Sequence, residues 1–253
     1  MRMVVAEEGA GALTTGLGAT AFGYFVQGWF KFGGVEFFKI QSAKALGDEA
    51  AYENKAKIYI VAAACAEFIA DVFLCPLEAV RIRQVSDPEF ADSLASGFAK
   101  MFRTEGIGGF YNGFLPILGK QIPYTCAKFL VQGTAADSIY ASIGKSPAEV
   151  SGSTALGISL TSGIIAGVAS AIISHPADTL LSKVNKAGAG GDGPLMSRLA
   201  NIAKEVGFVK LCTVGLPARC VMIGTLTAGQ FGIYDTVMGA LGASKFHFKN
   251  PKE

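Results

Sequence analysis

Cys75-Pro-Leu-Glu-Ala-Val-Arg-Ile-Arg83 returns one hundred residues later as His175-Pro-Ala-Asp-Thr-Leu-Leu-Ser-Lys183, each time at the end of a long apolar run. A repeat on this scale decides the fold class, because each copy buries its apolar face only against its neighbours. The unit fits two and a half times into 253 residues, so a missing half is expected at the N-terminal side. Only 17% of residues are charged and 51% are hydrophobic, against about 25% charged in an ordinary soluble domain. The mean hydropathy of +0.40 points the same way. The 32 glycines suit close helix contacts in lipid, where small residues let backbones approach.

Other classes fall away on composition. A net charge of +2 and the lack of an aromatic-interleaved basic patch argue against nucleic acid. Cys65, Cys75, Cys126, Cys212 and Cys220 form no CxxC pair, so neither a metal site nor a disulfide framework is expected. No cofactor is expected either. The N-terminus has neither the apolar core of a signal peptide nor the acid-poor character of a transit peptide.

Five apolar segments reach the ~20 residues needed to cross a bilayer: Leu17 to Ile40, Lys57 to Val80, Phe114 to Tyr140, Ala155 to Leu180 and Leu216 to Leu241. They lack period-2 alternation and several exceed strand length, so they read as helices. Residues 86–109 and 189–208 carry short amphipathic patterns (Phe90, Leu94, Phe98, Met101, Phe102; Leu195, Leu199, Ile202, Val206), expected to lie on a membrane surface. Residues 41–56 and 141–153 read as connectors. A second repeat runs through the other helices: Gly16, Gly113 and Gly215 each precede an aromatic triplet, Lys31-Phe32-Gly33, Lys128-Phe129-Leu130 and Gln230-Phe231-Gly232. Five residues beyond the first of each triplet stand Glu36, Gly133 and Asp235. Three copies of one helix type therefore alternate with two of its partner.

Pro76-Leu77-Glu78-Ala79-Val80-Arg81 matches the signature of the mitochondrial carrier family, and Pro176-Ala177-Asp178 opens a second copy. Gln121-Ile122-Pro123-Tyr124-Thr125, Ser174-His175-Pro176-Ala177-Asp178 and Met222-Ile223-Gly224-Thr225 further resemble the wording of that family's phosphate carriers. The likeness runs from about Glu7 to Asp235. It implies an all-α membrane bundle of threefold pseudo-symmetric repeats in the mitochondrial inner membrane, with a gate at each end of a central cavity. Five of six transmembrane helices would be present and the first missing. Residues 1–46 would be the second half of repeat 1, 47–147 repeat 2 and 148–253 repeat 3.

Proline within a transmembrane helix frees a carbonyl and kinks the axis, bringing the acid two residues on and the base five residues on toward the bundle centre. Acid from one helix is then expected to pair with base from the next. Pro76, Glu78 and Arg81 are complete; Pro176 and Asp178 have Leu181 at the basic position, leaving that link without its cation, a gap the phosphate carriers share. At the other end, Glu36 with Lys39 keeps the family's pattern. Gly133 does not, and Asp235 is followed by Met238, so this gate is expected to be weak.

Charges that break the repeat are better cargo candidates. Glu67 and Asp71 share a helix face, with Glu78 within about 40° of both at 100° per residue. The matching positions one hundred residues on are Gly167 and Ala171. Two carboxylates this close in a poorly hydrated setting repel, which marks them as a candidate proton site; the alternative is neutralisation by lysines of neighbouring helices. Gln27 and Lys31, Lys120, Gln121 and Lys128, and Arg219 supply an anion site, where a guanidinium fork, ammonium groups and amides could hold a tetrahedral anion.

Three other matches carry little. Gly188 to Gly193 satisfies GxGxxG in a polar connector with no strand before it. Ser174, His175 and Asp178 lack a GxSxG elbow, and His175 reads as a helix-end structural residue. The turn at Tyr111-Asn112-Gly113 resembles the family's cardiolipin-binding element, while Thr14-Thr15-Gly16 resembles it less. The expectation is a transporter, not an enzyme, of inorganic phosphate with a proton. The alternatives are a carrier of another small anion or a metal ion, and a truncated product that does not transport. Oligomeric state is left open.

Overall fold

Ala62, Ala63, Ala64, Ala66 and Ala70 fill one segment with the best helix former, and the result is a helix running unbroken over Lys55–Ser86 through Pro76. The structure, a computed structural model, describes residues 17–248 apart from 88, 92, 148, 151, 185–194 and 244. Its helices are α1 (Leu17–Gly28), a π-helical turn (Trp29–Gly33), α2 (Gly34–Leu46), α3 (Asp48–Glu53), α4 (Lys55–Ser86), α5 (Leu94–Tyr111), α6 (Phe114–Ile143), α7 (Gly152–Val184), α8 (Leu195–Val206), α9 (Phe208–Thr213) and α10 (Leu216–Ala240). No strand occurs among the described residues, in line with the all-α reading.

Several expectations change. Among the described residues three stretches are long and apolar enough to cross a membrane: Lys55–Gln84, Gly152–Lys183 and Phe208–Ala240. The other two expected spans are helical, but Gln27, Lys31, Glu36 and Lys39 dilute one, and Lys120, Gln121, Lys128 and Asp137 the other. Within the connector expected at 41–56, α2 continues to Leu46 and α3 follows. His175 lies inside α7 rather than at a helix end, because α7 continues two turns past Pro176. The GxGxxG stretch and Thr14 to Gly16 lie outside the described residues.

Contacts divide the chain into two units, Met1–Val35 with Cys65–Leu118, and Glu36–Ala64 with Gly119–Glu253. In the first, α5 starts at a Ser93 capping box, with Ser93 accepting from the Ser96 N–H and Ser96 returning a bond to the Ser93 N–H. Such reciprocal capping satisfies donors a helix start leaves open. Met101 and Phe110 of α5 bury with Val80 of α4, and Phe90, Leu94 and Phe98 pack around them. Phe102 stays exposed, and the helix is interrupted at Gly106, whose φ is 67°.

In the second unit, α7 and α10 meet through small residues. A methyl at Gly167 would sit 2.7 Å from Gly224 Cα and from the Ile223 carbonyl oxygen, so backbone faces backbone at a distance only glycine permits. The burial pattern is inverted relative to a soluble protein. Lys31, Lys39, Glu67, Asp71 and Lys128 are buried, while Trp29, Phe25, Val221, Met222 and Ile233 are exposed. Apolar surface outside and charge inside is the arrangement of a protein whose solvent is lipid.

Candidate functional site

The first unit carries the carboxylate pair. Glu67 and Asp71 follow each other by one turn on α4, and both are fully buried. Lys31 reaches Glu67 with Nζ 2.8 Å from Oε2. Its own backbone belongs to the π-turn, an irregularity frequent at functional positions. Gln27, one turn earlier on α1, donates its amide to Glu67 Oε1 at 3.1 Å and to Asp71 Oδ1 at 3.5 Å. The cluster therefore holds one ammonium, one amide and two carboxylates. Its two acids are not equivalent: Glu67 has the lysine, whereas Asp71 Oδ2 is buried with no hydrogen-bond partner. Lys31 fits the alternative that a neighbouring lysine neutralises the pair, bonding Glu67 directly while its charge also acts on Asp71.

The next charge on α4 is Glu78, and here an expectation is overturned. Arg81 donates from Nη1 to both oxygens of Glu78, at 2.7 and 2.9 Å. The pair lies within one helix, because a three-residue offset puts the two side chains side by side. For Glu78 and Arg81, then, the partner is the neighbour one turn along the same helix and not a residue of the next.

The second unit holds the remaining cations. Asp178 of α7, expected to lack a base, receives two: Lys120 of α6 at 3.0 Å and Arg219 of α10. Arg219 also donates to Ser174 at 2.9 Å. The gap at Leu181 is filled because Arg219, one of the residues that breaks the repeat, stands where the in-helix base would be needed. His175 bonds the Val214 carbonyl oxygen through Nε2 at 3.1 Å. Its Nδ1 and the Nε of Arg219 are buried without partners, and His175, Asp178, Lys183 and Arg219 line a cavity of about 450 Å³. Farther along α6, Lys128 is buried with its Nζ 2.5 Å from Gln230 Oε1 and 5.4 Å from the Phe231 ring centre. Gln121 is half-buried beside Lys120.

At the opposite end of the same unit, Lys39 pairs with Glu36 at 2.7 Å, as the pattern predicts. Asp235 is again the correction: it binds Lys245 and accepts from Ser159. Lys245 escapes a sequence reading because it lies in a non-helical segment, outside any helical period that would tie it to Asp235. Ser174 and Gln230 are also missed; Ser174 stands inside the repeated motif, and Gln230 heads the third aromatic triplet.

The sequence model of the mitochondrial carrier protein family matches residues 53–141 and 153–245. The chain belongs to the mitochondrial carrier family. It is 48% identical to the mitochondrial substrate carrier family protein N of Dictyostelium discoideum, over 94% of this chain and 80% of that protein. It is 42% identical to the mitochondrial phosphate carrier protein 3 of Arabidopsis thaliana, over 92% of this chain and 60% of that protein. A phosphate carrier protein of Caenorhabditis elegans is also 42% identical, over 95% of this chain and 68% of that protein. The chain thus spans between 60% and 80% of the length of these relatives. Membership makes it a multi-pass protein of the mitochondrial inner membrane.

Proposed function

We propose that this chain carries inorganic phosphate together with a proton, or equivalently against hydroxide, across the inner membrane by alternating access. The sequence repeats 1–46, 47–147 and 148–253 are read as the three parts of that carrier. Phosphate as cargo is supported by relatives named as phosphate carriers at 42% identity. The observation that carries the coupling is the Lys31, Gln27, Glu67 and Asp71 cluster, in which one ammonium serves two buried carboxylates. A charge in an apolar interior needs a counter-charge or neutralisation. For Asp71 a proton is the smallest group that supplies it, so Asp71 with Glu67 carries the proton.

Within the second unit Arg219, Lys120 and Lys128 bind phosphate and Gln121 orients its oxygens; Lys31 and Gln27 of the first unit are read from the sequence as further contacts of the same cargo. Arg219 and Lys120 now hold Asp178. A phosphate oxygen offers those cations the same chemistry as a carboxylate oxygen. Cargo binding therefore releases Asp178, and that differential contact shifts the population toward the conformation open at that gate. Pro76, Glu78, Arg81, Pro176 and Asp178 act as one gate, and Glu36, Lys39 and Asp235 as the other. The turn at Tyr111 and Gly113 is a lipid contact, with cardiolipin as its ligand. The reading is of a transporter and not an enzyme: no step makes or breaks a bond in the cargo.

Vesicles containing the reconstituted chain, with labelled phosphate outside and a pH gradient across the membrane, test this. Uptake is expected to follow the gradient and to lose that dependence in Asp71→Asn. Gradient-independent uptake by the unaltered chain overturns the proton coupling. Uptake undiminished by Arg219→Gln and Lys128→Gln overturns the anion site.

A further inference from the structure

The three repeat-related positions Glu36, Gly133 and Asp235 lie under one short non-helical segment, Lys245 to Phe248, all within the second unit. Lys245 pairs with Asp235. The Phe246 N–H donates to Glu36 Oε2 at 2.9 Å, and its carbonyl accepts from Lys39 Nζ at 3.4 Å. Gly133 has no charge to offer. The space its side chain would take is filled by the Tyr59 ring, which a methyl there would strike. Tyr59 in turn stands edge-on to Phe248, with ring centres 5.6 Å apart. Phe246 and Phe248 pack on the buried Ala43, Ala51 and Ile58, and His247 faces Tyr140. One segment therefore engages α2, α4, α6 and α10 together.

Its lysine also stands in line with the candidate cargo site. Lys245 Nζ lies 5.2 Å from the centre of the Phe231 ring, and Lys128 Nζ lies 5.4 Å from the same ring. The next residue outward, Tyr234, is 5.4 Å from Lys245. The two ammonium groups share one aromatic ring, with Gln230 on the Lys128 side.

We infer that Lys245 is the missing gate base of Asp235, and that the segment 245–248 is a latch which must lift from Glu36, Asp235 and Tyr59 before an anion reaches Lys128 from that end. The latch replaces the in-helix bases absent after Gly133 and Asp235, so this gate is closed by a strap beside two helix-borne pairs, Lys39 with Glu36 and Lys55 of α4 with Asp137 of α6. The inference rests on the transport reading for its purpose, and on these contacts alone for its existence.

A reporter thiol separates the two. Ala43→Cys places a sulfur beneath Phe246 and Phe248, in a background with the five native cysteines replaced by serine or alanine, and its reaction with a membrane-impermeant maleimide is followed in reconstituted vesicles. Adding Lys245→Gln is expected to speed labelling about tenfold by favouring local opening, and Lys245→Asp with Asp235→Lys to return it toward the starting rate. Labelled-phosphate uptake in the same vesicles is expected to change with the latch in Lys245→Gln and to recover in the exchanged pair. Labelling unchanged by Lys245→Gln overturns the latch. Faster labelling with unaltered uptake overturns its role in transport and leaves a structural contact only. Failure of the unaltered chain to take up phosphate counts against the cargo, while the labelling still decides the latch.

Discussion

Glu67 and Asp71 occupy one face of α4 and are equally buried, yet it is Glu67 that Lys31 bonds at 2.8 Å, while Asp71 Oδ2 has no hydrogen-bond partner. Removing one partner of a buried pair strands the other charge and costs about 3–5 kcal/mol. Glu67→Gln is therefore expected to lower the melting temperature in detergent markedly, and Lys31→Met in the same background to recover part of the loss. Asp71→Asn removes the carboxylate that lacks the direct lysine bond of Glu67. It is expected to leave stability within about 1 kcal/mol while abolishing the dependence of uptake on the pH gradient. A calorimetric scan of the three variants, read beside vesicle uptake, checks the contrast. The separation of the two carboxylates was legible as an i, i+4 spacing. The ownership of Lys31 was not, since Lys31 sits buried in a π-turn between α1 and α2 that no helical period places.

Whole elements show why the repeat is imperfect. The residue matching Glu67 one repeat later is Gly167, and there the fold uses the position differently, letting α7 and α10 touch backbone to backbone. Gly167→Val is expected to cost about 1–3 kcal/mol or more through overpacking, measured as denaturation in detergent. Among non-helical elements, the strap 245–248 is expected to depend on pH through His247. His247 keeps one side open to solvent; desolvation of the other, where it meets Tyr140, and then the positive charge of Lys39 hold its imidazole below its ordinary value, Lys245 adds to this, and Asp137 and Glu36 oppose it. The docked strap thus binds fewer protons at His247 than the free one. Docking is stable above the ordinary imidazole value of about 6.5 and weakens as pH falls through it and below. Labelling at Ala43→Cys is expected to accelerate on acidification through that range, and His247→Gln to remove the acceleration. The amphipathic stretch 90–102 shows the limit of periodicity: Met101 and Phe102 are neighbours in the same pattern, but only Met101 finds Val80 and Phe110.

At the scale of the whole molecule, a ligand that binds only the folded chain stabilises it by mass action. Phosphate at about one hundred times its Kd is expected to add about 2.7 kcal/mol, with no such gain in Arg219→Gln; thermal scans against phosphate concentration measure it. The helical membrane class, the repeat and the identity of the charged side chains were all determined by the sequence, because hydropathy, spacing and composition are properties of the chain alone. Which charge holds which was decided by the tertiary structure. Asp178 takes Arg219 and Lys120 from α10 and α6, and Asp235 takes Lys245 from a segment without helical period. Arg81 instead stays on Glu78 of its own helix. Ion pairing depends on distance in space and on what else is buried nearby. A local motif fixes only the helical offset between an acid and the base that follows it, so the partners that arrive from elsewhere in the chain appear only when the helices are packed.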